Sequence, residues 1–302
     1  MSEIWVVFGA TGQQGGAVAR AVLQDTTISV RAATRNLSSP AAATLRDLGC
    51  ELVRADLDDR TSLNTALKGA SGVFLVTTND VDEKYYEREF AQGKNAADAA
   101  VEAGVQKMIS STLQSVKNAT NGNLTKVVHF DVKYDIEQYI RKMPIASTFI
   151  ALGAFMSNFA TFLRPQDVGD GTFAIKSSMP GSTLLPLVDA TDVGRAVARM
   201  VKGFDRYRDR TINLAAELQS LDEVAAAIGR VNSKAVKYVQ ISPGEFLAPL
   251  SRHKAEDWAE FAVFMSDYGY FGEETRAAPT DELGELTRFE NYVKEGIVLG
   301  SK

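Results

Sequence analysis

Ile4-Trp5-Val6-Val7-Phe8-Gly9-Ala10-Thr11-Gly12-Gln13-Gln14-Gly15-Gly16-Ala17-Val18-Ala19-Arg20 is the stretch that decides the fold. A β-favouring apolar run meets a glycine-rich turn, and an alanine-rich helical pattern starts directly after it, which predicts a strand, a loop and a helix. Glycines at Gly9, Gly12 and Gly15 permit a tight turn, close approach of the backbone to a phosphate, and close packing of helix on strand. The amides of the helix N-terminus add an anion site. Gly9, Thr11, Gly12, Gln13, Gln14 and Gly15 are therefore the expected seat of a dinucleotide pyrophosphate. The spacing is G-x-x-G-x-x-G, which an ordinary Gly-rich turn between strand and helix would also show, so the next strand must decide.

That strand is Ile28-Ser29-Val30-Arg31-Ala32-Ala33-Thr34-Arg35-Asn36, and it ends in Arg35. An acidic residue there would accept hydrogen bonds from the ribose hydroxyls of NAD, whereas an arginine can pair with a 2′-phosphate. The cofactor this predicts is NADP(H); a solvated surface arginine is the alternative.

Composition sets bounds without naming a function. The chain has 302 residues, enough for a sizeable core, and a net charge of -5 with both signs interspersed. A nucleic-acid surface needs a concentrated basic stripe, so direct nucleic-acid binding is not expected. No window has the apolar length of a membrane span, and the N-terminus enters a strand without a leader pattern. These features predict a soluble, cytoplasmic protein, with the nucleus left open. The single cysteine, Cys50, rules out an intramolecular disulfide framework, and no zinc-type cluster of ligands is present.

Short apolar runs alternate with helical patterns, the signature of a Rossmann-type α/β fold: a doubly wound, mostly parallel sheet, here with a smaller C-terminal α+β lobe. A helix over Pro40 to Leu48 leads to a third strand, Cys50 to Ala55. Asp56 and Leu57 then sit at a carboxyl end of the sheet, within reach of an adenine, while Asp58 and Asp59 read equally as caps of a helix from Ser62 to Leu67. The fourth strand, Gly72 to Val76, is followed by Thr77, Thr78 and Asn79, small polar residues placed to line the phosphates or the nicotinamide ribose. A helix from about Val81 to Ala103 and a fifth strand, Gln106 to Thr112, follow. Leu113 to Asn123 reads as a loop, and the helix after it carries His129-Phe130-Asp131-Val132-Lys133, with His129 and Lys133 on one face. The expected Rossmann domain spans 1-152, completed by segments near 184-215, and the smaller lobe spans 153-302.

Here the sequence resembles the NmrA-like family, a branch of the atypical short-chain dehydrogenase/reductase superfamily. The resemblance rests on Gly9-Ala10-Thr11-Gly12-Gln13-Gln14-Gly15-Gly16, Thr34-Arg35-Asn36, Ala103-Gly104-Val105, His129-Phe130-Asp131-Val132-Lys133 and Leu152-Gly153-Ala154-Phe155-Met156-Ser157-Asn158-Phe159. It implies that Lys133 holds the nicotinamide ribose and that the region of Phe155 and Asn158 lies over the nicotinamide end. Catalytic relatives use Tyr-x-x-x-Lys, in which the tyrosine protonates a carbonyl oxygen; His129 stands in the tyrosine's place. An imidazole can still donate a proton near neutral pH. Ser111 or Thr112 could take the place of the family's substrate-orienting serine, or the Ser-Ser-Thr strand end could simply cap the ladder. Met156 and Phe159 read as packing.

Leu184 to Val188 and Asp189 to Ala198 read as a strand and a capped helix, Thr211 to Leu214 as a last strand, and Leu286 to Glu295 as the final helix. Trp258, Phe261, Phe264, Met265, Tyr268, Tyr270 and Phe271 should mostly form the core of the small lobe, and the acidic stretch Glu273 to Glu285 a solvated connection. NmrA-like members without the tyrosine act as redox-responsive regulators, so the resemblance implies an NADP(H)-binding protein that couples its cofactor to a protein partner. An NADPH-dependent reductase acting on a small-molecule carbonyl, quinone or imine is the alternative, and an interaction protein merely stabilised by cofactor a third.

Overall fold

The computed structural model describes residues 3–77, 82–272 and 281–299. Thr78, Asn79, Val81 and the first part of the acidic stretch lie outside the described residues. The first elements are β1 (Glu3–Val7), α1 (Gln13–Val22), β2 (Ile28–Thr34), α2 (Pro40–Asp47), β3 (Glu51–Arg54), α3 (Arg60–Leu67) and β4 (Gly72–Leu75). Next come α4 (Tyr85–Glu102), β5 (Lys107–Thr112), α5 (Val116–Ala119), α6 (Val128–Ile140), β6 (Ala146–Leu152) and β7 (Ala154–Phe155). A 3-10 turn at Met156–Ala160 leads to β8 (Gln166–Gly169), β9 (Thr172–Ser177), β10 (Leu184–Val188), α7 (Ala190–Lys202), α8 (Phe204–Tyr207) and β11 (Thr211–Leu214). The chain ends with β12 (Glu217–Ser220), α9 (Leu221–Asn232), β13 (Ala235–Gln240), α10 (Pro243–Leu247), α11 (Arg252–Asp267) and α12 (Phe289–Gly296).

Two compact units result. The first comprises 1–115, 129–151 and 190–212, and the second 116–128, 152–189 and 213–302. The seven-stranded sheet runs β11-β6-β5-β4-β1-β2-β3, and β1 to β6 pair in parallel throughout. Strands covered on both faces must be apolar nearly throughout, and β4 is buried at all of its residues, Gly72-Val73-Phe74-Leu75. The strand order reverses direction between β1 and β4, which is where a doubly wound fold opens a crevice at the carboxyl ends of its strands.

Local signals set the helix ends. Ser39 caps α2 with Pro40 at its first position, and Asp59 caps α3 by accepting from the Thr61 and Ser62 amides. That helix thus starts at Arg60, two residues earlier than the apolar spacing suggests, and Asp59 acts as a cap. Glycines allow the closest approaches. A Cβ on Gly194 of α7 would lie 2.4 Å from the Ala17 carbonyl oxygen of α1, and one on Gly93 of α4 would lie 2.7 Å from the Ile136 side chain of α6. Gly194→Ala is therefore expected to lower stability by about 1–3 kcal/mol. The check is a denaturant titration, in which the midpoint should fall with the slope preserved; an unchanged midpoint would show that the two helices can part freely.

The second unit holds two small sheets, β12-β10-β7 and β13-β9-β8. Phe261, Phe264, Met265, Tyr270 and Phe271 are buried as the aromatic spacing predicts, whereas Tyr268 is exposed. Met156 and Phe159 are core residues, and the Phe159 ring meets Phe289 edge-on at 5.5 Å. The expected loop from Leu113 to Asn123 contains a short helix, α5, closed by Thr120, whose hydroxyl donates to the Val116 carbonyl at 2.9 Å. Further on, the Thr125 and Lys126 amides both donate to the Glu260 carboxylate, each at 2.6 Å. The final helix starts at Phe289, whose amide donates to the Glu217 carboxylate, and not at Leu286. No helix among the described residues is long and apolar enough to cross a membrane.

Candidate functional site

The glycine turn leaves β1 through Gly9, whose φ of +62° is a left-handed conformation that favours glycine. The Gly12 amide donates to the Gly9 carbonyl at 2.8 Å and closes the turn, while the Phe8 and Ala10 amides donate to Phe74 and Ala33 on the flanking strands. A Cβ on Gly15 would lie 2.3 Å from the Gly9 oxygen, so helix α1 can start this close to β1 only with glycine there. Gly9, Thr11, Gly12 and Gln13 are exposed, and no side chain caps α1, so its first turn is open to an anion. Gln14 carries a buried side-chain oxygen with no hydrogen-bond partner among the described residues.

Thr11 reaches across to the second strand, its hydroxyl 3.3 Å from that of Thr34. One residue further, Arg35 is exposed and pairs with no described residue. An unengaged guanidinium beside an open helix N-terminus can receive a phosphate. At the end of β3, Asp56 is half-buried and its carboxylate accepts the Asp58 amide at 3.1 Å, a local turn. Leu57 is buried, with its carbonyl bonded to the Asn95 amide group at 3.1 Å. Asp58 accepts from the Gln92 side chain of α4 at 2.9 Å.

The other half of the sheet carries a different chemistry. Lys133 on α6 is 8% exposed and forms an ion pair with Glu89 on α4, itself 1% exposed. The Thr77 hydroxyl, just past β4, donates to the same carboxylate oxygen, and the Lys133 ammonium donates to the Thr77 hydroxyl oxygen at 3.2 Å. The second oxygen of Glu89 is buried without a partner among the described residues. A buried pair of this kind is costly to break from one side, about 3–5 kcal/mol. The two helices are fastened on either side of it: Tyr86 donates to Asp135 at 2.6 Å and Tyr139 to Asp98 at 2.7 Å. Burial, the bond to Asp135 and the nearby Asp131 and Glu87 charges push the Tyr86 hydroxyl well above the usual phenol range.

His129 shares helix α6 with Lys133 but is half-buried, and its ring meets Phe130 edge-on at 4.9 Å. Ser111 is buried near the end of β5. Its neighbour Thr112 takes the structural role, its hydroxyl donating to the Leu113 and Lys133 carbonyls, both at 3.3 Å. Ser115, which the sequence reading passes over, donates to Asp131 at 2.8 Å. Phe155 ends β7 and Asn158 lies in the 3-10 turn, both half-buried and both in the second unit. A cavity of about 1070 Å³ also lies in the second unit, lined by Pro180, Thr183, Leu184, Leu218 and Tyr268, with Asp267 as the charged group on its wall. Gly9 to Gly15, Thr11 with the end of β2, and Thr77 with Lys133 are thus gathered at the carboxyl ends of the first unit's strands.

Sheet order and glycine cradle together define a doubly wound α/β protein of the Rossmann type. The chain belongs to the NmrA-like family, whose model matches residues 1–293. An NmrA-like family domain-containing protein of Dictyostelium discoideum is 27% identical over 309 residues, covering 98% of each chain. An NmrA-like family domain-containing oxidoreductase, FrzB, of Cladobotryum sp is 30% identical over 262 residues, 80% of this chain and 77% of its own. Among solved structures, NmrA, a negative transcriptional regulator in complex with NADP, matches with a TM-score of 0.83 at 25% identity, over 97% of this chain and 95% of its own. The same regulator has been crystallised with NAD. Similar proteins therefore carry both regulator and oxidoreductase names.

Proposed function

We propose that this chain binds NADP(H) and acts as a redox-responsive regulator that couples cofactor binding to a protein partner. The observation that carries the cofactor reading is the open glycine cradle beside an exposed Arg35 that has no partner among the described residues. Gly9 to Gly15 would hold the pyrophosphate, Arg35 the 2′-phosphate, and Lys133 with Thr77 the nicotinamide ribose. His129 in place of a tyrosine supports the regulatory role, because the usual proton donor is missing while the ribose-holding lysine is kept.

The reductase reading has its own support in the half-buried His129 and in the oxidoreductase names among similar proteins. Bound NADPH would supply a hydride to an acceptor carbon. The chain's part would be to orient the ribose through Lys133 and to donate a proton from His129 or a water.

A calorimetric titration with NADPH, NADP⁺, NADH and NAD⁺ in one buffer tests the proposal, run beside a turnover panel of carbonyls, quinones and imines. The expected result is tight, phosphate-selective binding without consumption of NADPH. Binding with turnover would move the assignment to a reductase, and no nucleotide binding would overturn the cofactor reading. The difference in affinity between the oxidised and reduced forms limits how far the cofactor ratio can shift a partner-binding equilibrium.

A further inference from the structure

Helix α4 buries the face that carries Tyr85, Glu89, Gln92, Gly93, Ala96, Ala97 and Ala100. Glu89 is the anomaly on that face, because an acid there must be desolvated and one of its oxygens has no partner among the described residues. Replacing a whole buried ion pair by well-packed apolar residues is often neutral or stabilising, so stability alone does not account for an acid and a lysine here. What Glu89 does accomplish is geometric: one carboxylate oxygen accepts from both the Lys133 ammonium and the Thr77 hydroxyl. A lysine on a flexible four-carbon stem is thereby held in one direction, with two of its three donors engaged by described residues.

The place of this cluster tells which part of a ligand it meets. In a doubly wound sheet one nucleotide half lies over the strands on each side of the reversal point. Arg35 follows β2, on the β1–β3 side, whereas Thr77 follows β4, on the other side. The adenine half belongs to the first and the nicotinamide half to the second.

We infer that Glu89 is a positioning residue which, with Thr77, fixes the Lys133 ammonium towards the nicotinamide half of the cofactor. The inference rests on the cofactor reading above. Two ligands separate them: NADPH, and adenosine 2′,5′-bisphosphate, which carries the adenine half and its 2′-phosphate alone. Both are titrated calorimetrically into the full chain and its variants.

Glu89→Gln keeps the shape and removes the charge, so Lys133 loses its anchor. The Kd for NADPH is expected to rise about fivefold or more, and that for the bisphosphate to change less than about twofold. Lys133→Met should cost much less in the Glu89→Gln background than in the wild type, because the two act as one unit. Equal losses for both ligands, additive effects of the two substitutions, or tighter NADPH binding by Glu89→Gln would each overturn the inference. If Glu89→Gln fails to fold, Thr77→Val carries the same test, with a loss expected for NADPH alone and an equal loss for both ligands overturning it. A wild-type chain that binds neither ligand would overturn the cofactor reading, and the inference with it.

Discussion

Gly15→Ala is expected to lower stability by about 3 kcal/mol, and with it to weaken NADPH binding by about 100-fold or more. The added Cβ would lie 2.3 Å from the Gly9 oxygen, 2.5 Å from the Gly9 carbonyl carbon and 2.6 Å from the Phe8 oxygen. All three are backbone atoms, so no side chain can rotate aside. They are also fixed from behind, since β1 is paired on both edges, with β2 and with β4. Helix α1 would have to retreat by about 1 Å to restore ordinary contact distances, yet on its other side Ala17 touches Gly194 of α7. The strain has nowhere to go, and for a chain of this size it corresponds to a melting temperature lower by roughly 5 °C.

The neighbouring glycine separates packing from ligand approach. A Cβ on Gly12 would stand 3.2 Å from the Gly9 oxygen, a tight contact but not an overlap. Gly12→Ala should thus nearly keep the stability and still lose affinity, because its methyl group projects where the phosphate must come close. Thermal melts and NADPH titrations of the two variants check both statements. Full NADPH affinity in Gly12→Ala would remove the cradle as the pyrophosphate seat, and an unchanged melting temperature in Gly15→Ala would show that α1 is less confined than its neighbours imply.

What the sequence discloses and what it conceals follow from the range of the interactions. Gly9, Gly12, Gly15 and Arg35 are legible because the turn, the helix start and the end of β2 are local events, fixed by residue types within one strand-helix-strand unit. Asp59 is only half legible: a carboxylate before a helix reads as a cap or as a ligand contact, and only the Thr61 and Ser62 amides bonded to it decide. Lys133 is visible as a motif position, but its partner is not, since Glu89 lies 44 residues away on another helix. A local signal for Glu89 does exist. It is the one acid on the otherwise apolar or neutral face of α4, and a break in a stripe of that kind marks a buried polar partner. The stretch around α5 shows the opposite failure. Its Asn, Ser and Gly content reads as a loop, yet the Glu260 carboxylate, 135 residues from Thr125, holds the end of that segment. Composition carries no trace of a bond of such separation.

Arg35→Asp is expected to raise the Kd for NADPH by about 100-fold while leaving that for NADH within about threefold. A guanidinium can make two charge-assisted hydrogen bonds to a phosphate; at an exposed, screened site the pair together is worth about 1.5–3 kcal/mol, so its loss alone is worth at least about tenfold. The aspartate then adds repulsion of a phosphate carrying up to two negative charges. For NADH the sign is reversed, because a carboxylate at the end of this strand can accept from the ribose hydroxyls. Arg35→Ala should fall between the two, with NADPH weakened about tenfold. Since Arg35 is exposed and has no partner among the described residues, its attraction is open to screening. The wild-type preference for NADPH should narrow as salt is raised from about 0.1 M to 1 M, where the screening length falls from about 10 Å to 3 Å; the bias of Arg35→Asp against NADPH should shrink as well, while the preference of Arg35→Ala changes little. Titrations of all three proteins at both salt concentrations make the check. Equal losses for the two cofactors would show that Arg35 does not read the 2′-phosphate. A selectivity that survives both the substitution and the salt would place the phosphate recognition on the backbone amides of α1, where no side chain can be exchanged to alter it.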